Sequence, residues 1–306
     1  MDRKAVIDIG TNSIKFILAE MGKDGAFKTL MDKNNIAKLG EGLKETGLIS
    51  PDAMARNCDA IKEFADIARS EGASEIFAVG TMALRNAKNS ADFLEMVEKK
   101  AGVKVRVIPG EEEAQYSYLA VVSGIDLGKG KLAIIDTGGG STEFVFGEGD
   151  SLGRRFSLDL GAIRVTEEFL KSDPVKKEEV EKALSFIDGF LGSNGVSGKV
   201  DKLVGMGGGI TSMGSVMFEM VDYDPDRIQG SFLSLKEVDR QIAMYSAKTI
   251  EERRAVVGLQ PKRADVILAS ALIVKAIMHR LGVDGLTISD RGLRHGLLYH
   301  VGKSVI

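Results

Sequence analysis

Ala5-Val-Ile-Asp-Ile-Gly-Thr-Asn-Ser-Ile-Lys-Phe-Ile-Leu18 and Ala133-Ile-Ile-Asp-Thr-Gly-Gly-Gly-Ser-Thr-Glu-Phe-Val-Phe146 align without a gap. Asp8 matches Asp136, Gly10 matches Gly138, Ser13 matches Ser141 and Phe16 matches Phe144. Each copy reads as an apolar strand that ends in Asp, a turn of Gly, Ser, Thr and Asn, and a second apolar strand that returns. A hairpin that recurs 128 residues later points to two related domains, each opening with it.

Strand and helix patterns alternate outward from both copies. Ser50-Pro51 reads as an N-cap with proline at the first helical position. Met54, Cys58, Ile61, Phe64, Ala65 and Ala68 then share one helical face. Ile76–Val79 and Val103–Ile108 read as strands, and Ala91–Ala101 and Glu111–Val122 as helices. In the second half Val180, Leu184, Ile187 and Leu191 mark a helix, and Lys202–Gly205 a strand ending in glycines. Ser234 with Glu237 forms a capping box. Ala264–Met278 reads as an apolar helix, Leu286–Ser289 as a strand and Gly292–Val301 as a last helix. The alternation places the chain in the α/β class. The expected division is residues 1–124 and 125–306, with a linker at Gly124–Lys129.

Composition narrows the function. At 306 residues the chain exceeds one ordinary core. The net charge of -3 excludes general nucleic-acid affinity but leaves room for a local basic pocket. No apolar run approaches the ~20 residues that span a bilayer, and the N-terminus does not read as a signal peptide. The single cysteine, Cys58, excludes an intramolecular disulfide and fits a reducing compartment. Three histidines are too few for a His-based zinc site at typical spacing. Glycine is the outlier, 36 against 5 prolines, and favours tight phosphate-type loops.

Four motifs carry candidate chemistry. The hairpin tips offer Asp8, Thr11, Asn12 and Ser13 in one copy and Asp136, Gly138, Gly139, Gly140, Ser141 and Glu143 in the other. Glycine lets amides turn toward an anion, and an acid at a strand end can hold hydrated magnesium bridging phosphate oxygens. Two plain hairpins are the alternative for either copy alone. Gly205-Met-Gly-Gly-Gly-Ile-Thr211 follows a strand and opens a helix, a second place for phosphate at Gly207 and Gly208. It lacks the Lys-Ser/Thr pair of a Walker loop and the GxGxxG spacing. Gly110-Glu-Glu-Glu-Ala114 starts a helix, where three glutamates suit the dipole and one could serve as general base. Gly80-Thr-Met-Ala-Leu-Arg85 follows a strand, where Arg85 could grip phosphate or simply be solvated. Arg263, Asp265, Arg291, Arg294 and His295 read as structural, in salt bridges, caps or packing.

Together these segments resemble the Ppx/GppA phosphatases (exopolyphosphatase and guanosine pentaphosphate phosphatase) within the actin, Hsp70 and sugar-kinase superfamily. Leu39-Gly-Glu-Gly-Leu43, Gly161-Ala-Ile-Arg164, Arg263-Ala-Asp-Val-Ile-Leu-Ala269 and Gly292-Leu-Arg294 complete the likeness, in family order over nearly the whole chain. The resemblance implies two actin-like (ribonuclease H-like) domains flanking a central cleft. It implies Mg2+-dependent hydrolysis of the terminal phosphoanhydride of linear polyphosphate. The alternatives are guanosine pentaphosphate hydrolysis, a small-molecule kinase on the same fold, or a non-enzymatic sensor that binds polyphosphate or a nucleotide. By position Glu113 falls on the catalytic glutamate, Glu143 on a second essential acid that helps place metal and water, and Arg85 on a substrate-phosphate arginine. Asp136 with Glu143 is the implied metal pair. Gln115 and Gly209 depart from the pattern, standing where members often carry Arg and Thr. A cytoplasmic homodimer that binds neither nucleic acid nor membrane is the expected setting.

Overall fold

The computed structural model describes residues 2–22, 27–126, 128–148 and 151–303. Two compact units emerge. The first opens with β1 (Asp2–Ile9), β2 (Ile14–Met21) and β3 (Phe27–Asn35), then α1 (Leu43–Thr46) and α2 (Pro51–Ser70). It continues through β4 (Glu75–Gly80), α3 (Met82–Asn86), α4 (Ser90–Ala101), β5 (Val105–Val107) and α5 (Gly110–Val122). The second unit runs from β6 (Lys131–Thr137), β7 (Thr142–Glu148) and β8 (Ser151–Leu158) through α6 (Ala162–Phe169) and α7 (Lys177–Ser193). β9 (Lys202–Met206), α8 (Gly208–Met217), α9 (Pro225–Ile228), β10 (Phe232–Ser234), α10 (Leu235–Ser246), α11 (Ile250–Arg254), α12 (Ile267–Leu281) and β11 (Gly285–Ile288) follow, and α13 (Leu293–Lys303) closes the chain.

The strand orders are β3-β2-β1-β4-β5 and β10-β11-β9-β6-β7-β8. Set side by side, the second sheet is the first plus one edge strand. Each begins with an antiparallel meander and adds a strand parallel to its first. The repeat seen in the sequence is therefore a repeat of topology.

Both faces of the first sheet are covered. Ile7, Ile9, Phe16 and Leu18 pack with Ile61, Phe64 and Phe93 on one face. Val6, Ile17 and Val79 pack with Tyr116, Leu293, Leu297 and Leu298 on the other. Burial on both sides is why β1 reads as a nearly continuous apolar run. In the second unit α12 is buried almost all round, among Ile135, Phe144, Ile187 and Tyr245.

The expected boundaries change in two places. Gly124 does open the second unit, but Gly292–Ile306 belongs to the first, so that unit is Met1–Ser123 plus the C-terminal segment, and 125–306 is not one body. The cause is helix packing. A Cβ at Gly296 would lie 1.8 Å from Tyr116 O, so glycine lets α13 press its backbone against α5. Leu127, inside the expected linker, lies outside the described residues. The apolar helix expected from Ala264 starts at Ile267 instead, because Pro261–Arg263 forms a 3-10 turn ahead of it.

Candidate active site

Both hairpin tips are built on one plan. Gly10 N–H donates to Ser13 O at 3.0 Å, and Gly138 N–H to Ser141 O at 2.9 Å. Tip carbonyls are then engaged from behind. Gly40 N–H and Lys38 N–H donate to Thr11 O and Asn12 O, both at 2.9 Å. In the second unit Ala162 N–H and Ile163 N–H donate to Gly138 O and Gly139 O at 3.1 and 2.8 Å. A peptide N–H points opposite to the carbonyl it shares a plane with. The amides of Asn12 and Ser13, and of Gly139 and Gly140, are thereby aimed away from the supporting backbone, as an anion cradle requires. Glycine makes the close support possible: a Cβ at Gly161 would lie 2.3 Å from Gly139 O.

The side chains at the first tip are buried: Asp8, Thr11, Asn12 and Ser13. Asn12 Oδ1 has no hydrogen-bond partner among the described residues. Lys15 faces Asp8 across the hairpin, with Nζ 4.0 Å from Oδ2.

Arg85 and Glu113 are brought together. β4 ends at Gly80, where a Cβ would strike Leu84 Cδ1 at 2.4 Å, so the chain can turn at once into α3 and carry Arg85 back over the strand end. Arg85 Nη1 donates to Glu113 Oε2 at 2.7 Å and to Ile108 O at 3.0 Å. The three glutamates of α5 diverge, as successive helical residues must, by ~100° each. Glu113 is buried, Glu111 is exposed, and Glu112 accepts from Arg106 through both oxygens and from Tyr116 Oη at 2.8 Å. Burial would raise the Glu112 pKa, but the Arg106 and Tyr116 hydrogen bonds outweigh it and lower it.

In the second unit Asp136 and Glu143 face each other in register, 8% and 2% exposed. Ser141 is buried beside them. The third glycine loop closes on this pair. Gly207 has φ 102°, and a Cβ there would lie 2.9 Å from Asp136 Oδ1. Gly208, the first residue of α8, lies against the Arg263 guanidinium, whose nitrogens would be 2.3–2.4 Å from its Cβ.

Three contributors were hard to see in the sequence. Lys15 lies inside the quoted hairpin, and its signal there is its place in the register opposite Asp8. Ser157 carries no signal in the sequence because β8 has no clear pattern there. Arg263, which the sequence reads as structural, is 93% buried, gives Nε to Gln260 Oε1 at 3.2 Å, and has its pKa pulled down to about 10 by burial. Arg294 fits the structural reading: its Nε and Nη2 hold Asp32 at 3.0 and 2.8 Å. His295 is also structural, accepting from Gly292 N–H and placing Nε2 3.3 Å from Asp32.

Among the described residues no group of three or more His, Cys, Asp or Glu side chains could hold a metal ion. Asp136 and Glu143 supply a pair of hard oxygen donors, and magnesium is commonly held by one or two carboxylates, water and substrate phosphate. The donor set therefore fits magnesium and does not suit zinc. No helix among the described residues is long and apolar enough to cross a membrane.

Comparison with known proteins identifies the family. Exopolyphosphatase 2 of Mycobacterium tuberculosis is 32% identical, the match covering 97% of this chain and 98% of that protein. A bifunctional 3-dehydroquinate synthase/phosphatase of Fusobacterium nucleatum is 30% identical over 94% of this chain, which spans only 45% of that longer protein. The crystal structure of the Aquifex aeolicus Ppx/GppA family member superposes with a TM-score of 0.84 at 33% identity, covering 99% of this chain and 98% of the other. The model of the Ppx/GppA phosphatase family matches residues 3–304, and the chain belongs to that family, with its actin-like two-domain fold.

Proposed function

We propose that this protein is an exopolyphosphatase, hydrolysing the terminal phosphoanhydride of linear inorganic polyphosphate to release orthophosphate. The observation that carries the reading is the Arg85–Glu113 pair. One of three adjacent glutamates is withdrawn from water and set against a strand-end arginine, while its neighbours serve a surface cluster or solvent. Arg85 suits two phosphate oxygens. Glu113 accepts a proton from the attacking water as its oxygen bonds to the terminal phosphorus. The phosphoanhydride bond breaks, and the electron pair leaves on the shortened polyphosphate. In the first unit the amides of Asn12 and Ser13, with Lys15, suit negative charge; in the second those of Gly139, Gly140, Gly207 and Gly208, with Arg263, suit it likewise. Phosphoryl transfer asks for this, positioning and charge more than covalent chemistry. Magnesium held at Asp136 and Glu143 would neutralise phosphate charge.

Phosphate release from polyphosphate, with guanosine pentaphosphate and ATP in parallel, is the test. Glu113→Gln is expected to lower turnover by roughly 10²–10⁴-fold, the range of general acid–base help. Glu111→Gln and Glu112→Gln should stay within a few-fold. Glu112→Gln should instead lower stability by about 1 kcal/mol, because it breaks the Arg106–Tyr116 cluster. Excess chelator should stop release. Activity on guanosine pentaphosphate alone would move the substrate, and equal loss in all three glutamine variants would remove Glu113 from the mechanism.

A further inference from the structure

Glu143 is one of a row. β6, β7 and β8 are in register, so that Asp136 faces Glu143 and Glu143 faces Ser157. Ser157 Oγ–H donates to Glu143 Oε1 at 2.6 Å, within the range of a charge-assisted O–H···O bond. The strands that set this distance are themselves fixed: Thr142 Oγ1 donates to Leu160 O at 2.5 Å, and Phe144 stacks on Phe156 with ring centroids 5.2 Å apart. A glutamate side chain has three torsions, the last of them broad. One oxygen held by a donor on a packed strand fixes where the other oxygen points. The equivalent row in the first sheet runs Asp8, Lys15, Asn34, and Asn34 is exposed. The hydroxyl is therefore a feature of the second sheet, not of the repeated scaffold.

We infer that Ser157 is a positioning residue for the reaction: it holds Oε1 of Glu143 so that Oε2 is presented to metal and water. The inference rests on the exopolyphosphatase reading only through the role given to Glu143.

Ser157→Ala is expected to lower kcat on polyphosphate by about 10–100-fold, the usual cost of losing a residue that orients a ligand, with KM nearly unchanged. Ser157→Thr keeps a hydroxyl on a side chain suited to a strand and should restore kcat to within a few-fold. Glu143→Gln and the double variant Glu143→Gln/Ser157→Ala should turn over alike, because the serine acts through the carboxylate. Without substrate, Mn2+ affinity measured by electron paramagnetic resonance should fall about 10-fold in Ser157→Ala. Wild-type kcat in Ser157→Ala overturns the inference, as does a further loss on the Glu143→Gln background. Failure of Ser157→Thr to rescue, accompanied by a lowered melting temperature, shows a packing role instead. If the wild-type protein releases no phosphate from any of the three substrates, the function reading fails on its own. The Mn2+ arm then decides, and equal occupancy in wild type and Ser157→Ala overturns the role of Ser157.

Discussion

Asp8 and Asp136 end equivalent strands of equivalent sheets, yet Asp8 faces Lys15 across its hairpin whereas Asp136 faces Glu143. The turn hydrogen bond is the same in both, and each tip has two carbonyls held by backbone amides and a glycine packed close behind it, with the supported pair shifted by one residue between the copies. Charge is what differs. The first tip brings its own counter-ion, and can meet a phosphate without carrying net negative charge toward it. The second sets two carboxylates opposite one another, an arrangement that repels itself and repels phosphate. In the proposed function a bound cation is what would turn such a pair into an attractive surface. On that reading the duplicated scaffold holds two arrangements beside an aspartate, one with its own ammonium and one for which magnesium is the proposed counter-ion.

The comparison can be broken most severely by making the second hairpin resemble the first. Glu143→Lys sets an ammonium opposite Asp136. Phosphate release is expected to fall by roughly 10²–10⁴-fold, the scale on which essential acids act. The melting temperature in metal-free buffer should be no lower than that of wild type, since a repulsive pair becomes an attractive one. Retained turnover would show that Glu143 is dispensable.

The reverse exchange should act on stability before activity. Lys15→Glu gives the first hairpin two facing carboxylates, with Asp8 buried and Lys15 itself only 21% exposed. Unfolding by urea should show a loss of about 2 kcal/mol, between the cost of a like-charge cross-strand pair and that of a broken buried ion pair. Adding magnesium in the millimolar range should recover part of it if facing carboxylates are enough for a site. No recovery would mean that Ser157 and the third glycine loop are needed as well.

The smallest effect belongs to another paired charge of the first sheet. Burial alone would raise the pKa of Asp32, but Arg294 and His295 beside it bring it down to about 2. A depressed acid stabilises the fold fully above its unfolded pKa and loses that contribution as pH falls through the folded value. The window is therefore about pH 4 down to pH 2. Asp32→Asn should be modestly less stable at neutral pH and should flatten the acid dependence in that window, followed by melting temperature. An unchanged acid profile would place the sensitivity in other carboxylates.

The sequence made the hairpins legible because their signal is local: Asp, glycine and hydroxyl residues at fixed offsets between apolar strands. Caps were legible for the same reason. Ser50 Oγ accepts from Ala53 N–H at the start of α2, as its Ser-Pro pair implied. The Ser234 cap is also present, but Glu237 turns its carboxylate to Arg240 and Gln241 and completes no box. The third strand of each meander, β3 and β8, escaped the pattern. β3 lies at a sheet edge with most of its residues exposed, so alternation of apolar and polar residues is weak there. Missing β8 meant missing Ser157. The Arg85–Glu113 contact was legible as two separate motifs and not as a pair, because spacing along a chain carries no information about which strand end meets which helix start.

Gly292–Ile306 has a consequence for how the protein is made. The first unit needs α13 to cover Val6, Ile17 and Tyr116, and α13 begins 170 residues after Ser123, at Leu293. At about 5–20 residues per second, ribosomal synthesis leaves that apolar face uncovered for roughly 10–40 s. The second unit, Gly124–Arg291, is one uninterrupted stretch and can finish first. The protein is thus completed in the reverse of its written order, and its earliest-made sheet is the one that chaperones would meet unfinished.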